Sequence, residues 1–230
     1  MAQCVCTGLE EPTYIREHNE SNMQKVFRTM KSIIILGSGP SLAKFRFNRI
    51  PADVHTFGCK NQYRYYAIRR WYPTYYACLD KLSYEQNREQ ILEMVKDPMV
   101  GTKEFFLYEP AAFARVRTVR WGRPKFDFSK DINNLDDAEN TATNCAQIAV
   151  ALGYTRLYLV GIDLSWGVSG PQYFMHGYRD EHEVQNDTPI QQNHTDAWIK
   201  FGAWAKKNAV SVSLLSENKQ LPFPVERLKW

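Results

Sequence analysis

Hydrophobic positions along the chain follow two alternating patterns. Short apolar or β-branched runs predict strands buried on both faces, at residues 33–36, 54–57, 74–79, 105–108, 157–160 and 210–215. Between them, apolar residues at helical spacing predict helices over residues 61–71, 84–95, 141–152 and 195–207. This alternation predicts an α/β fold, with a Rossmann-like, mostly parallel sheet that carries helices on both faces in a single domain.

Two segments lack this alternation. Residues 1–31 are mostly polar, and we predict that they form an N-terminal extension to a nucleotide-binding domain at 32–230. Residues 164–193 are a long polar and aromatic stretch between a predicted strand and a predicted helix. Because loops of this length in compact domains are commonly lids or binding loops, we predict a lid loop here.

Composition narrows the function classes only slightly. The 230 residues are 44% hydrophobic, and the formal charge of +4 comes from interspersed acids and bases, so composition does not indicate a nucleic-acid partner. The five cysteines form no C-x-x-C pair, which favours a reduced, cytoplasmic setting. The sequence has no run of about 18 apolar residues, the length that a membrane-spanning helix needs.

One stretch is locally basic. It contains no acidic residue and carries five cations: Arg115, Arg117, Arg120, Arg123 and Lys125. Such a run is usually a solvated surface, and contact with an anionic ligand or with the inner membrane surface is the alternative.

The first sign of chemistry is the glycine-rich turn that follows the first predicted strand, in SIIILGSGPSL. Its residues are Gly37, Ser38, Gly39, Pro40 and Ser41. In an open parallel sheet, the ligand crevice lies beyond the carboxyl ends of the strands, and glycines there permit a phosphate to approach the backbone. The turn is therefore either a nucleotide cradle or a tight strand-to-helix connection in which Pro40 starts the helix.

Polar residues follow other predicted strands in the same way. Asn61 comes just after the second strand, Asp80 after the third, and Asp163 after the strand at 157–160. Each alone is more often a helix cap or a turn residue. Together with the glycine turn, they favour a binding site.

Four segments resemble, in the same order, the motifs of the bacterial sialyltransferases of glycosyltransferase family 42. They are IIILGSGPSL, FGCKNQY, AQIAVALGYTRLYLVGIDL and HTDAWIKF, and the resemblance covers roughly residues 32–215. Those enzymes transfer sialic acid from its cytidine monophosphate (CMP) donor and have no metal-binding D-x-D motif. The turn and the ALGY…GID block also occur in the related 6-hydroxymethylpterin diphosphokinase-like family.

The resemblance implies roles for particular residues. It implies that the glycine turn and Asn61 hold the nucleotide, that Thr141 lies near the donor sugar or phosphate, and that Tyr173 stabilises the departing phosphate. It also implies that His194, next to the TDAWIKF segment, is the catalytic base.

Three positions depart from the family pattern. Ser38 stands where the family has asparagine, Ala138 where it has arginine, and Ser165 where it has the first loop tyrosine. The missing arginine bears on the contact with the sialic acid carboxylate, so a different activated sugar is an open alternative.

The chemistry itself needs a base and a means of stabilising the leaving phosphate. Histidine suits the base, and His176 and His182 are alternatives to His194. Tyrosine hydroxyls can assist the departure of a nucleoside monophosphate, a role open to Tyr173 and Tyr178. Trp166 in the lid loop is the predicted sugar contact, because indole rings stack on sugars.

The predicted function is a metal-independent, sialyltransferase-like glycosyltransferase that uses a nucleotide-sugar donor as substrate and no cofactor. The acceptor is expected to be a glycan or glycolipid, and a homo-oligomer and a peripheral membrane contact stay open. One alternative is a magnesium-dependent pyrophosphokinase, for which Asp80 and Asp163 are the available metal ligands. The other is a non-catalytic nucleotide-binding protein.

Overall fold

The computed structural model describes residues 31–164, 172–179, 190–215, 221 and 225–227. The predicted N-terminal extension, except Lys31, lies outside these residues, as do Ser165, Trp166 and His182.

A parallel sheet forms the centre of the described structure. Its strand order is β10-β9-β8-β1-β2-β3-β4-β5, and every pair of neighbouring strands in it is parallel. These strands are β1 (Ser32–Leu36), β2 (His55–Cys59), β3 (Tyr75–Cys78), β4 (Glu104–Leu107), β5 (Val116–Thr118), β8 (Arg156–Val160), β9 (Ser211–Leu214) and β10 (Glu226–Arg227). The two remaining strands, β6 (Trp121–Arg123) and β7 (Leu135–Asp136), pair with each other. The predicted α/β fold with a parallel sheet is confirmed.

Helices connect the strands. The α-helices are α1 (Tyr63–Arg69), α2 (Lys81–Lys96), α3 (Thr141–Ala151) and α4 (Ile190–Lys207), and short 3-10 helices occupy Pro40–Lys44, Phe47–Arg49 and Lys60–Gln62. All four predicted helices are present. The last begins at Ile190, before its predicted start, so His194 lies inside α4 and not ahead of it.

The sheet buries apolar side chains on both faces. Along β1, Ile33 and Ile35 belong to the core on the side of α3 and α4, whereas Ile34 and Leu36 belong to the core on the opposite side. All four are fully buried. This is why β1 appears in the sequence as a continuous apolar run: side chains on alternate faces of the strand both meet helical layers.

The strand order indicates where the ligand-binding crevice lies. From β1 the chain runs outward through β2, β3, β4 and β5, and then returns to add β8 on the other side of β1. The direction of winding therefore reverses between β1 and β8, and ligands of open α/β sheets bind beyond the carboxyl ends of the strands at such a switch point. The turns after β1 and β8 meet at this position.

Asp136 of β7 is a buried carboxylate. It is fully buried; one of its carboxylate oxygens accepts from the Phe126 backbone N–H at 2.8 Å, and Oδ2 has no hydrogen-bond partner among the described residues. Burial raises the pKa of Asp136 to about 6, helped by the negative charges of Asp137 and Asp127. Folding therefore favours the protonated carboxyl.

A raised carboxyl pKa makes stability fall as pH rises. The contribution of Asp136 is fully present below the unfolded pKa of 3.8 and is lost as pH rises through about 6. For Asp136→Asn, we compare its free energy of unfolding with that of the native protein at the same pH. We expect the variant minus native difference to be larger at pH 7.5 than at pH 4.5. The expected difference is on the order of 1–3 kcal/mol. Urea unfolding of the native protein and the variant at both pH values measures this change. Asp53→Asn, at an exposed position, is the control. If the variant minus native difference is the same at both pH values, the raised pKa of Asp136 is contradicted.

Candidate functional site

The turn after β1 packs directly against the turn after β8. The Gly37 N–H donates to the Val160 carbonyl at 2.7 Å, and the Gly39 N–H donates to the Gly161 carbonyl at 2.8 Å. A side chain at Gly37 would collide with the Gly161 carbonyl, and a Cβ at Gly39 would lie 2.5 Å from an Asp163 carboxylate oxygen. The two glycines are thus needed so that the loops can approach each other.

Asp163 closes this contact. One of its oxygens accepts from the Ser41 backbone N–H at 2.6 Å, and the other accepts from the Ser41 hydroxyl at 2.5 Å. The backbone N–H groups of Gly37, Gly39 and Ser41 therefore all donate hydrogen bonds to acceptors within the protein. A phosphate above this turn would depend mainly on the side chains around it, because three of the turn's amides already have acceptors.

Gln62 is the buried centre of the site, and the sequence analysis missed it. Its amide nitrogen donates to the carbonyls of Leu36 at 3.0 Å and Gly37 at 2.7 Å. Its amide oxygen accepts from the Cys59 N–H at 2.9 Å and from the Tyr66 hydroxyl at 2.5 Å. Gln62 thereby ties the end of β1 to the end of β2. The available signal was an amide side chain beside Asn61 in FGCKNQY, a residue type that can donate and accept at once.

Part of the predicted lid loop lies on the glycine turn. The Phe174 N–H donates to the Ser38 carbonyl at 3.1 Å, and the hydroxyls of Tyr178 and Ser38 are 2.5 Å apart. The rings of Tyr173 and Tyr178 stack at a centroid distance of 4.4 Å, and the Arg179 guanidinium lies 5.4 Å above the Tyr173 ring. The structure therefore brings both predicted tyrosines to the turn.

Tyr178 keeps its hydroxyl proton at neutral pH. Its side chain is buried, and this burial raises its pKa well above 10, although the hydrogen bond with Ser38 opposes the shift. A tyrosine held protonated beside the turn suits the predicted role of stabilising a departing phosphate.

Three more predicted polar residues lie where neighbouring elements begin. Asn61 is buried within the 3-10 helix that follows β2. Asp80 caps α2 by accepting from the Ser83 N–H at 2.7 Å. Thr141 is the buried first residue of α3, and Asn140, not Thr141, provides the side-chain cap.

Charges near Asp80 keep it ionised. Burial alone would raise the pKa of Asp80, but the Lys60 charge, hydrogen bonds from Ser83 and the Arg179 charge outweigh burial and lower it. Asp80 is therefore a carboxylate flanked by two cations, neither of which the sequence analysis selected.

The surroundings of His194 change the pKa of its imidazole. His194 lies half-buried on α4, and this burial, together with the charge of Lys60, lowers its pKa to about 4. The imidazole is therefore neutral at physiological pH and can accept a proton. His176, in contrast, is exposed.

The basic run before residue 126 is largely engaged within the protein. Arg115 donates to the backbone carbonyls of residues 95, 97, 100 and 102. Arg117 pairs with Glu104 at 2.6 Å, Lys125 pairs with Glu139 at 2.6 Å, and Arg123 pairs with Asp127. Three of the five cations in the run therefore have a carboxylate partner, and a fourth, Arg115, is held by backbone carbonyls.

Neither a metal cluster nor a membrane span is found in the described part of the chain. No three His, Cys, Asp or Glu side chains there are grouped as metal ligands would be. No described helix is both long and apolar enough to cross a bilayer.

The class of proteins whose fold this chain shares is the sialyltransferases. The chain matches the Campylobacter jejuni sialyltransferase CstII in complex with the substrate analogue CMP-3FNeuAc, with a TM-score of 0.53 and 19% identity over 85% of this chain and 86% of that one. It matches the monofunctional α-2,3-sialyltransferase Cst-I of the same organism, with a TM-score of 0.53 and 17% identity over 86% and 81% of the two chains. A CstII structure with a trisaccharide acceptor and CMP also matches, with a TM-score of 0.53 and 17% identity over 85% of both chains.

Sequence comparison adds no further relative, since no protein-family model and no curated protein sequence matches this chain significantly. The predicted resemblance to bacterial sialyltransferases is confirmed at the level of the fold.

The contact between the two turns can be tested with a pair of glycine variants. In Gly39→Ala, the added methyl group would meet the Asp163 carboxylate and the Gly161 carbonyl, whereas at Gly101 it would meet no atom within 4 Å. We expect Gly39→Ala to lower the free energy of unfolding by about 1–3 kcal/mol. Gly101→Ala should change it by less than about 0.5 kcal/mol. Chemical denaturation compares the two variants, and equal effects would contradict the packing argument.

Proposed function

We propose that this protein is a glycosyltransferase that transfers a sialic acid, or a related acidic sugar, from a CMP-activated donor to an acceptor hydroxyl. The proposal depends mainly on one observation. His194 is a neutral, half-buried histidine at the crevice of a fold that the chain shares with sialyltransferases. The stacked tyrosine pair on the glycine turn supports it, because a CMP leaving group needs hydrogen-bond donors.

His194 acts as the base in the proposed reaction. It accepts the proton from the acceptor hydroxyl while that oxygen attacks the anomeric carbon of the donor sugar, and the bond from that carbon to the phosphate oxygen breaks. Displacement from the opposite side inverts the configuration of the anomeric carbon. Tyr178 and Tyr173 donate hydrogen bonds to the departing phosphate, and Gln62 keeps the turn beneath them in place.

The proposed reaction is metal-independent. Both carboxylate oxygens of Asp163 accept hydrogen bonds from Ser41, and Asp80 caps a helix, so each carboxylate already has a structural role. This observation disfavours the pyrophosphokinase alternative, which needs these two carboxylates as magnesium ligands.

The non-catalytic alternative rests on the position that carries arginine in the family. Ala138 is fully buried, and its N–H donates to the Asn144 side chain at 3.0 Å. This position presents no cation to a donor. Against this alternative, His194 supplies a neutral imidazole that can accept a proton, although a pKa of about 4 makes it a weaker base than a free histidine.

Calorimetric titration with CMP and with ATP, each with and without magnesium, separates these functions. We expect CMP to bind with the same affinity in the presence and absence of magnesium, because the proposed site contains no metal. Binding of ATP only with magnesium, without any affinity for CMP, would contradict the proposal and favour pyrophosphate transfer.

The base is tested by His194→Gln. General base catalysis contributes about 10²–10⁴-fold to a rate, so kcat should fall by that factor while CMP affinity changes little. His176→Ala, which changes an exposed histidine in the same region, is the matched control and should retain the native rate. Equal kcat values in the two variants would exclude His194 as the base.

The pH dependence of the native enzyme provides a separate measurement. Because the pKa of His194 is lowered to about 4, protonation removes the base only as pH falls towards 4. We therefore expect kcat/KM to lack an acid limb near pH 6.5. An acid limb at that pH in the native protein would contradict the environment assigned to His194.

A further inference from the structure

Lys60 has a backbone conformation that is uncommon for a residue with a side chain. Its φ of 51° lies in the left-handed region, directly between the last residue of β2 and Asn61. Such a conformation is unfavourable for a residue with a side chain and persists where surrounding contacts impose it. Residues held in this way cluster at functional sites.

The contacts that impose this conformation are present on both sides of Lys60. The Tyr76 hydroxyl donates to the Lys60 carbonyl at 2.5 Å. The N–H of the preceding Cys59 donates to the Gln62 side chain at 2.9 Å, and Tyr66 holds the same oxygen of Gln62 at 2.5 Å. The hydrogen-bond network that builds the site therefore also fixes the direction in which the Lys60 side chain leaves the backbone.

Lys60 directly follows β2, at the carboxyl edge of the parallel sheet where the crevice lies. The side chain is half-buried, and its charge lowers the pKa of both Asp80, after β3, and His194, on α4. Within the described part of the chain, Lys60 forms no ion pair. A half-buried cation that acts on both a carboxylate and the proposed base retains charge that an anionic ligand can neutralise.

The site needs such a cation. Three backbone N–H groups of the glycine turn already donate to acceptors within the protein, and position 138 carries an alanine and so supplies no cation. A second cation, Arg179, lies on the tyrosine segment and acts on the same Asp80 carboxylate. Two cations therefore act on Asp80, Lys60 from the segment after β2 and Arg179 from the segment that carries Tyr173 and Tyr178.

We propose that Lys60 binds the oxyanion of the donor, its phosphate or its sugar carboxylate, with Arg179 as a second cation on the same group. The proposal rests on the proposed function of the site and adds the residue that selects an anionic donor. A bound oxyanion neutralises the Lys60 charge that acts on His194, so donor binding makes the imidazole a stronger base at the stage when a proton must be accepted.

The test measures binding and the His194 titration in Lys60→Met, with Lys60→Arg as the charge-preserving variant and the exposed Lys44→Met as the matched control. Calorimetry uses cytidine, CMP and CMP-3FNeuAc. We expect Lys60→Met to weaken CMP binding at least tenfold and cytidine binding less than twofold, with most of the affinity restored in Lys60→Arg. A loss confined to CMP-3FNeuAc would place the sugar carboxylate at Lys60 instead of the phosphate.

The second readout does not depend on a nucleotide. In NMR titrations of the imidazole, the pKa of His194 should be higher in Lys60→Met than in the native protein, and inorganic phosphate should raise it only when Lys60 is present. Thermal unfolding of each variant confirms that it is folded.

The outcomes separate the two proposals. If the native protein binds CMP and Lys60→Met binds it equally well with an unchanged His194 pKa, the role of Lys60 is overturned and the proposed function stands. If the native protein binds no CMP but phosphate still acts on His194 through Lys60, the proposed function fails and the anion site stands. If neither CMP nor phosphate has an effect, both proposals are overturned.

Discussion

The site depends on the contact between the turns after β1 and β8, which brings two backbone segments closer than any side chain would permit. Hydrogen bonds from Gly37 to Val160 and from Gly39 to Gly161 join the turns, and Asp163 fastens them through Ser41. This contact lies where the direction of winding in the sheet reverses. It both closes the end of the crevice and supports the residues above it, because Ser38 between the two glycines contacts Phe174 and Tyr178.

Gln62 extends this constraint from β1 to β2. A buried amide that donates to two carbonyls and accepts from an N–H and a hydroxyl satisfies groups that would be costly to leave unpaired. The same network holds Lys60 in its left-handed conformation, so one set of hydrogen bonds positions the turn, the neighbouring Asn61 and a cation. The charge of Lys60 and the burial of His194 then act together on the imidazole, which stays neutral as a result. Packing and the electrostatics of the candidate site are in this way properties of one network.

Much of the fold could be predicted from the sequence, because its central strands are continuous apolar runs and its helices have regular apolar spacing. The short strands β5, β6, β7 and β10 were missed, since two or three residues give no period to detect. The glycine turn, Asn61, Asp80, Thr141, Asp163, His194 and the two tyrosines were selected in advance. Gln62, Lys60 and Arg179 were not, because a single glutamine, lysine or arginine in a sequence carries no sign of what it will contact. The basic run at 115–125 was a candidate for contact with an anion, but the structure pairs three of its five cations with carboxylates of the protein.

The sequence by itself determined the alternation of strands and helices, the glycines after β1 and the polar residues after the strands, because these follow from local periodicity and backbone preference. Only the tertiary structure decided which amides of the glycine turn are occupied, that Asp163 holds Ser41, and that Lys60 lies near both Asp80 and His194. The physical reason is the distance along the chain between these partners. Ser41 and Asp163 are 122 residues apart, and hydrogen bonds and charge effects at such separations exist only once the sheet has brought the strand ends together.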